Sequence, residues 1–304
     1  DGDAELMQLL MDRGADLNVT DPDENTPLLL ACQNGSVDGV RFCLEQGQDV
    51  NAMNYKNEAP LYIAYEGRNS EIFRLLLEAG ANVDIRTPAG DDEDDDDQQP
   101  QPLLHHVCSG GHETVRLLLD RGANMEARDD ENQTPLCIAC EFGRVEVARL
   151  LIDRGASVEM KGASECTPFM HACGGPHTSI EVAQLLLDRH ADVEAKDASG
   201  NTALHVVCQT LYVDKEKVVR FLVNAGANVN GKGNNECTPL HFACTKKRSV
   251  DIVRFLLDSG ADIAAKARDQ VAPLHSACGF GEVEVVRLLL DRQANLEART
   301  TGGY

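Results

Sequence analysis

Aromatic residues are scarce in this sequence of 304 residues, which has no tryptophan and only 4% phenylalanine and tyrosine. The hydrophobic share of 42% therefore consists mostly of leucine, valine, isoleucine and alanine. These side chains suit thin, regular layers of helix packed on helix. The composition favours many small cores over one large core.

Positive charge is also scarce, with 28 lysines and arginines against 50 aspartates and glutamates. Because nucleic-acid phosphates attract proteins through a basic field, the net charge of -22 argues against an unselective nucleic-acid binder. No stretch approaches the roughly 18 apolar residues of a membrane span, and the N-terminus lacks a basic-then-apolar signal region. We expect a cytoplasmic protein, with the nucleus as an alternative, that has no nucleic-acid partner and does not insert into membranes.

The motifs of common enzymes are missing as well: there is no glycine-rich phosphate loop, no HExxH, no GxSxG and no kinase signature. The eleven cysteines cannot all pair with one another. Seven recur at one position of a repeated motif, where a free cysteine behaves as a small interior hydrophobe: Cys32, Cys108, Cys140, Cys173, Cys208, Cys244 and Cys278. We predict a reducing compartment, no enzyme activity, no cofactor and no metal site.

Two markers recur with the same period along the chain. One is a Gly-Ala pair or its substitute, which begins at positions 14, 47, 80, 122, 155, 190, 226, 260 and 293. The other is a heptapeptide that reads TPLLLAC at 26–32, TPLCIAC at 134–140 and TPLHFAC at 238–244. Their spacing of 33 to 36 residues, apart from one of 42, indicates a repeat protein.

The unit at 134–159 shows how one repeat folds. Thr134 is placed to cap a helix, and Pro135 takes the first helical position, where no backbone donor is needed. Gly143 permits the turn that ends this helix, and Gly155 ends a second apolar helix. Since neither helix can bury its apolar stripe alone, neighbouring units must stack.

This pattern resembles the ankyrin repeat, whose signature is Thr-Pro-Leu-His-x-Ala, a glycine turn, a helix ending in Leu-Leu, and Gly-Ala-Asp/Asn-Val-Asn. The resemblance covers essentially the whole chain and implies an all-α fold, an ankyrin-repeat α-solenoid of stacked helix-turn-helix units with β-hairpin-like finger loops. Leu288, Leu289 and Leu290 keep the interior pattern near the end, so we expect a fragment of a longer protein. We expect one domain, 1–304, with a partial repeat at 1–18, repeats at 19–51, 52–84, 85–126, 127–159, 160–194, 195–230, 231–264 and 265–297, an acidic insertion loop at 90–102 and a tail at 298–304.

The resemblance implies a non-catalytic protein-protein interaction module, a scaffold or adaptor that binds a partner protein through a concave surface of fingers and inner helices. Two alternatives stay open. The chain could be the substrate-recognition or regulatory arm of a larger enzyme, such as a ubiquitin ligase or a kinase, or it could be a structural tether to the membrane skeleton. We expect the chain itself to be monomeric.

Candidate binding residues follow from the same resemblance, which places an exposed inner-helix position four residues after the motif threonine. That position holds Leu30, Ile63, His106, Ile138, His171, Val206, Phe242 and Ser276. Phe142 and Phe280 are bulky residues beside the following turn. The finger tips add Asp21, Asp23, Glu24, Tyr55, Lys56, Asp130 and Glu131, and later Asn234, Glu236, Arg268 and Asp269. Such aromatic and large aliphatic residues can anchor a partner, or they can shield one another.

Charge suggests what the partner carries. The finger tips of the N-terminal half are acidic and those of the C-terminal half are mixed, so we predict a partner with a basic or basic-apolar segment that faces residues 20–145. Elongated turns at 174–180, 209–217 and 245–251 are a second candidate surface, with Tyr212, Lys246, Lys247 and Arg248. Loops also absorb insertions at little cost, which is the alternative.

The acidic insertion at 90–102 has three interpretations. It can be a solvated loop, a contact for a basic partner or a divalent-cation site. A run of like charges buries too little apolar surface to become ordered, which favours the first interpretation. Calcium loops need alternating ligands around a glycine turn, which this run lacks.

Two further sets of residues recur at fixed motif positions. His105, His205, His241 and His275 share one position, so we expect structural hydrogen bonds to the neighbouring finger's backbone and to the motif threonine rather than catalysis. The resemblance also makes Asn18, Asn51 and Asn230 candidates for asparagine hydroxylation; alternatively, these residues only stabilise the turn.

Overall fold

Each Thr-Pro-Leu motif begins an α-helix, and a second helix follows it along the chain. The computed structural model describes residues 2–89, 100–210, 215–246 and 249–302. They form two compact units, unit 1 (residues 1–130) and unit 2 (residues 131–304). The expectation of a single domain stays a prediction.

The described part of unit 1 consists of one N-terminal helix and three helix pairs. First helices pack on first helices, as α2 does on α4, and second helices pack on second helices, as α3 does on α5. The helices are α1 (Gly2–Met11), α2 (Pro27–Gln33), α3 (Val37–Glu45), α4 (Pro60–Glu66), α5 (Ser70–Glu78), α6 (Leu103–Cys108) and α7 (His112–Asp120).

Five helix pairs make up the described part of unit 2. They are α8 (Pro135–Glu141) with α9 (Val145–Asp153), α10 (Pro168–Gly174) with α11 (Ile180–Leu187), α12 (Ala203–Gln209) with α13 (Lys215–Asn224), α14 (Pro239–Ala243) with α15 (Val250–Asp258), and α16 (Pro273–Gly279) with α17 (Val283–Asp291). Among the first helices, α8 packs on α10, α10 on α12, α12 on α14 and α14 on α16. The stacking confirms the predicted all-α solenoid of helix-turn-helix units.

The helix caps follow from the motif. The Thr134 hydroxyl accepts the Cys137 N–H at 3.3 Å, and Pro135 begins α8. Thr26 and Thr167 cap α2 and α10 in the same way. A side-chain cap of this kind stabilises a short helix by about 1 kcal/mol, so one threonine in each of these repeats sets where the first helix starts.

The fingers between helix pairs are hairpin-shaped turns, and the described residues contain no strand. Backbone hydrogen bonds join the two ends of a finger, such as Gly162 N–H to the Cys166 carbonyl at 2.8 Å and Asp197 N–H to the Asn201 carbonyl at 2.9 Å. An isolated antiparallel bridge pairs Arg86 with Pro102. Residues 90–99 of the predicted acidic insertion lie outside the described residues.

Six of the seven recurring cysteines are buried, as predicted. Burial raises the pKa of the Cys208 thiol to about 12, which keeps that thiol protonated and unreactive at neutral pH. The seventh was predicted wrongly, because Cys278 is exposed. It lies on α16, in the last helix pair, which packs on α14 and α17 but has no later repeat against it in this chain.

Two second helices end in the left-handed region on a residue other than glycine, as their positions in the repeat suggested. His190 has φ +67° and Gln293 has φ +65°, where Gly155 has φ +98°. A side chain costs about 1 kcal/mol in this region. We therefore expect His190→Gly to raise the free energy of unfolding by about 1 kcal/mol, measured by urea unfolding followed by circular dichroism. The reverse change, Gly155→His, is the matched control and is expected to be destabilising; a His190→Gly protein no more stable than the parent would contradict the assignment.

Candidate protein-binding surface

The inner-helix position that follows the motif threonine by four residues is half-buried in most repeats. It is flanked in sequence by buried residues; Cys137 and Ala139, for example, are both fully buried around Ile138. The half-buried residues at this position are Leu30, His106, Ile138, His171, Val206, Phe242 and Ser276. Each unit therefore presents a row of mostly large side chains on its first helices, accessible along one edge.

Ile63 was wrongly predicted to be exposed at this position. Its side chain is only 8% exposed. It lies in the wall of a pocket that Tyr62 and Glu66 also line. Ile63 therefore contributes to the core of unit 1 and offers little surface to a partner.

The two phenylalanines beside the turns differ in their surroundings. Phe142 is half-buried and stacks on His177, with ring centroids 5.5 Å apart and planes inclined by 22°. Phe280 is 65% exposed. Phe142 is thus held in a fixed orientation, as a preorganised anchor is, whereas Phe280 stands in solvent.

The finger tips of unit 1 are built around side-chain to backbone hydrogen bonds. The Asp21 carboxylate accepts the backbone N–H groups of Asp23 and Asn25, and these bonds, with one from the Asn25 side chain, lower its pKa. Asp21 therefore holds the turn, while Asp23 and Glu24 are exposed at the tip. Asp130, the last residue of unit 1, forms an ion pair with Arg86 at 2.8 Å.

The second finger of unit 1 carries an exposed aromatic ring. Tyr55 is 55% exposed, and the Lys56 ammonium lies 5.9 Å from the centre of its ring. Beneath this tip the buried Asn54 amide donates to the Glu58 carboxylate at 2.7 Å and to the Asn25 side-chain oxygen at 3.0 Å. The tip therefore rests on a hydrogen-bonded base that links two successive fingers.

The elongated turns of unit 2 are described only in part. Tyr212, Lys247 and Arg248 lie outside the described residues, so their part in a second surface stays a prediction. Lys246 is half-buried after α14, and Glu131, at the start of unit 2, is exposed. Thr178 closes the turn at 174–180 through a 2.9 Å hydrogen bond to the Gly175 carbonyl.

Charge is divided unevenly between the two units. Residues 1–130 contain 28 acidic and 9 basic residues, whereas residues 131–304 contain 22 acidic and 19 basic residues. Seven of the acidic residues of unit 1 fall in the run at 91–97. The negative field of the chain therefore belongs almost wholly to unit 1, in agreement with the contrast between the finger tips.

The candidate asparagines for hydroxylation have structural partners. The Asn51 side-chain oxygen accepts the Asn82 N–H of the next repeat at 2.7 Å, and the Asn230 oxygen accepts the Asp262 N–H at 2.8 Å. Asn18 donates from its backbone N–H and its side-chain amide to the Asp16 carboxylate within its own turn. The side chains of Asn51 and Asn230 thus stabilise the junctions between successive repeats. Hydroxylation at all three stays a prediction.

A row of lysines in unit 2 escaped the sequence interpretation. The Lys161 ammonium donates to the Lys196 carbonyl at 2.9 Å, and the Lys196 ammonium donates to the Lys232 carbonyl at 3.1 Å. Lys266 occupies the same position one repeat later. The signal was a lysine at one recurring position, six residues after the Gly-Ala position of its repeat at 155, 190, 226 or 260, and it was hidden by the acidic total.

The recurring histidines make the predicted structural hydrogen bonds in unit 2. His241 Nδ1 accepts from Thr238, and its Nε2 donates to the Val271 carbonyl at 3.1 Å. His275 joins the Ala272 N–H to the Ala298 carbonyl. Among the described residues no three histidine, cysteine or acidic side chains lie together as a metal-ligand set. These histidines hold the fingers on the helices.

Stability is expected to fall as the pH drops below about 6.5, the ordinary pKa of histidine. Burial lowers the pKa of His171, His205 and His241. Above pH 6.5 both folded and unfolded chains are neutral at these side chains. Below it the unfolded chain takes up protons first, so the free energy of unfolding decreases until the folded pKa values are reached. Urea unfolding at pH 7.5 and 5.5 measures this loss.

A matched variant isolates these side chains from other titrating groups. His205→Gln with His241→Gln removes two of the three imidazoles whose pKa is lowered, so the difference between pH 7.5 and 5.5 is expected to shrink by more than half. His112→Gln and His190→Gln, at exposed positions, serve as the control and are expected to leave the difference unchanged. An equal pH dependence in both double variants would contradict the assignment to the buried histidines.

Stacked helix-turn-helix units joined by short fingers, with accessible side chains along the first helices, define a helical repeat protein built for interaction. A family model described as ankyrin repeats (3 copies) matches residues 1–87, 89–162, 159–232 and 228–300. The chain therefore belongs to the ankyrin repeat family. Ankyrin repeat domains generally mediate protein-protein interactions, and their fold is a non-enzymatic interaction module.

Comparison with solved structures agrees. The crystal structure of the human ASB11 ankyrin repeat domain is similar, with 25% sequence identity and a TM-score of 0.58, covering 74% of this chain and 94% of that one. No curated protein matches the sequence. None of the helices described is long and apolar enough to cross a membrane.

Proposed function

We propose that the chain is a non-catalytic module that binds a partner protein through the surface formed by its fingers and first helices. The observation that carries the proposal is the row of half-buried side chains one residue away from fully buried ones. Anchors of this kind lose little conformational entropy on binding, because the helix already restricts them. A few such residues supply most of the energy of a protein interface.

The partner is proposed to carry a basic or basic-apolar segment where it meets unit 1. The excess of acidic over basic residues in unit 1 favours such a segment in the encounter and disfavours acidic competitors. Leu30 supplies an apolar contact on α2, and Tyr55 supplies an exposed ring on the next finger. In unit 2, Ile138, Phe142 and Phe242 supply the corresponding anchors.

Affinity capture from cell lysate with quantitative mass spectrometry tests the proposal. The intact chain is compared with a variant that carries Ile138→Arg, Phe142→Ala and Phe242→Ala, after circular dichroism has shown that both are helical. We expect at least one protein to be depleted more than tenfold in the variant's catch, because three anchors are lost and a charge is placed among them. A control with Glu146→Arg and Arg149→Glu, on the exposed face of α9, is expected to retain that protein.

Two outcomes would count against the proposal. The variant with Ile138→Arg, Phe142→Ala and Phe242→Ala is here called the groove variant. If it and the parent capture identical sets of proteins, the first helices are not the binding surface. If the control loses the same protein, binding involves the second helices instead. Charge reversal in unit 1 tests whether the partner's segment is basic. The double change Asp23→Lys with Glu24→Lys is expected to weaken capture of the partner, and to do so most strongly at low salt. Asp130→Lys is harder to interpret because it also breaks the ion pair with Arg86.

A further inference from the structure

Unit 1 departs from the repeat pattern at one place on its inner-helix surface. Tyr62 occupies the position that holds a histidine in four other repeats, and Tyr65 occupies the position that holds cysteine in the other seven. Both tyrosines lie on α4 and both are half-buried. Packing needs only a small side chain at the Tyr65 position, as the seven cysteines show, so the phenol ring there calls for a reason other than core packing.

The next repeat adds a third ring to these two. The centroid of the His106 ring lies 5.4 Å from that of Tyr65, edge to face, and 6.4 Å from that of Tyr62. His106 Nε2 is 3.3 Å from a Glu66 carboxylate oxygen, and its Nδ1 is 3.4 Å from the Gln101 side-chain nitrogen. The three rings and the carboxylate form a cluster, here called the tyrosine cluster (Tyr62, Tyr65, His106 and Glu66).

An open pocket of about 380 Å³ lies beside this cluster. Tyr62, Glu58 and Glu66 line it together with Cys32, Gln33, Ile63 and Gly67. The Glu66 side chain is 51% exposed. Burial, with the negative charges of Glu66 and Glu58, raises the pKa of Tyr62 to about 12. The pocket is therefore negative in potential, rimmed by a phenol ring and open to solvent.

The geometry points to an occupant, and we infer that the pocket takes an arginine side chain from the basic segment of the partner. This inference rests on the proposed function. A guanidinium can lie on the face of a phenol ring while its N–H groups bond to a carboxylate in the same plane. Glu66 and Glu58 supply the carboxylates and Tyr62 supplies the ring, so cation, ring and acid meet at one place.

An arginine side chain fits this pocket better than a lysine side chain. A lysine ammonium is more strongly hydrated and cannot make the paired, planar hydrogen bonds that a carboxylate accepts from a guanidinium. One oxygen of the Glu58 carboxylate already accepts from the Asn54 amide at 2.7 Å. Glu66, at the end of α4, has the more exposed carboxylate and is expected to supply most of the contact.

A titration with short peptides tests the inference on the intact chain. The probe is N-acetyl-Gly-Arg-Gly-amide, with the lysine and citrulline peptides as comparisons, and the readout is the ring resonances of carbon-13-labelled tyrosine. We expect saturable shifts at Tyr62 and Tyr65 with the arginine peptide, weaker shifts with lysine, and none with citrulline, which has the same shape without the charge. Tyr304, in the tail at 298–304, is the internal reference.

Two variants locate the site, and a third controls for charge. Glu66→Gln is expected to lower the affinity for the arginine peptide about tenfold, because a charge-assisted hydrogen bond is lost. Tyr62→His introduces the residue that four other repeats carry at this position. It is expected to lower the affinity for the arginine peptide about threefold, measured from the Tyr65 ring resonances. Glu78→Gln removes the same charge from the exposed end of α5 and is expected to change nothing.

Distinct results overturn the inference. Equal shifts with citrulline would show that charge is not recognised, and an unchanged affinity in Glu66→Gln would remove the carboxylate from the site. Suppose that the groove variant of Ile138, Phe142 and Phe242 loses a partner that Glu66→Gln and Tyr62→His still capture normally. That result would refute the arginine pocket but would support the proposed function. Failure of the groove variant to lose any protein would refute the function instead.

Discussion

Replacing His205 with alanine is expected to lower the free energy of unfolding by about 3 kcal/mol. The side chain is fully buried on α12. Its Nδ1 accepts from the Thr202 N–H at 3.2 Å and lies 2.8 Å from the Thr202 hydroxyl. Its Nε2 donates toward the Gly231 carbonyl at 3.0 Å and the Cys237 carbonyl at 3.2 Å. Alanine would leave these groups without the imidazole and would leave a cavity.

The same motif position in the last repeat supplies a matched control. His275 makes two of these bonds, to Ala272 and Ala298, but it is only half-buried on α16. Water can replace its partners, so His275→Ala is expected to cost about 1 kcal/mol. Urea unfolding of both variants measures the difference, with the transition fitted without assuming that the whole chain unfolds in one step. Equal losses of unfolding free energy in the two variants would mean that the hydrogen bonds of His205 from α12 to the next finger contribute little to stability.

These histidines also show what the sequence could predict. A position that recurs every 33 to 36 residues has the same neighbours in each repeat, so one argument applies to His205, His241 and His275 together. The caps at Thr134 and Thr167 and the left-handed residues His190 and Gln293 were predictable for the same reason. Local chemistry and the period determine all of them.

What the period does not determine is the exposure of one side chain in one repeat. Ile63 was expected to be as accessible as Ile138, but it is only 8% exposed in a repeat that carries Tyr62 and Tyr65 on the same helix. Cys278 was expected to be buried like Cys244, but its helix lacks a following repeat in this chain. Both errors arise because burial depends on the neighbouring repeat, which differs from one unit to the next.

The tyrosine cluster was missed for a related reason. Tyr62 and Tyr65 lie at positions of the recurring heptapeptide, whereas their contact with His106 joins residues about 40 positions apart in the sequence. The signal that was available is the break in the pattern, since Tyr65 is the one residue at its position that is not cysteine. Sites in repeat proteins are therefore best sought where a repeat disagrees with its neighbours.

Leucine-to-alanine substitutions at one repeat position are expected to have very different costs in the two units. Leu77 on α5 is 3% exposed, whereas Leu290, three residues before the corresponding turn on α17, is 40% exposed. We expect Leu77→Ala to lower the free energy of unfolding by about 3 kcal/mol and Leu290→Ala by about 1 kcal/mol, because an exposed leucine leaves no closed cavity when it is shortened. Urea unfolding of each variant, followed by circular dichroism, measures both costs. Since residue type and repeat position are the same, only burial differs within the pair. A loss at Leu290 as large as that at Leu77 would show that this face of α17 is covered in solution, and a small loss at Leu77 would contradict the packing of α5 in unit 1.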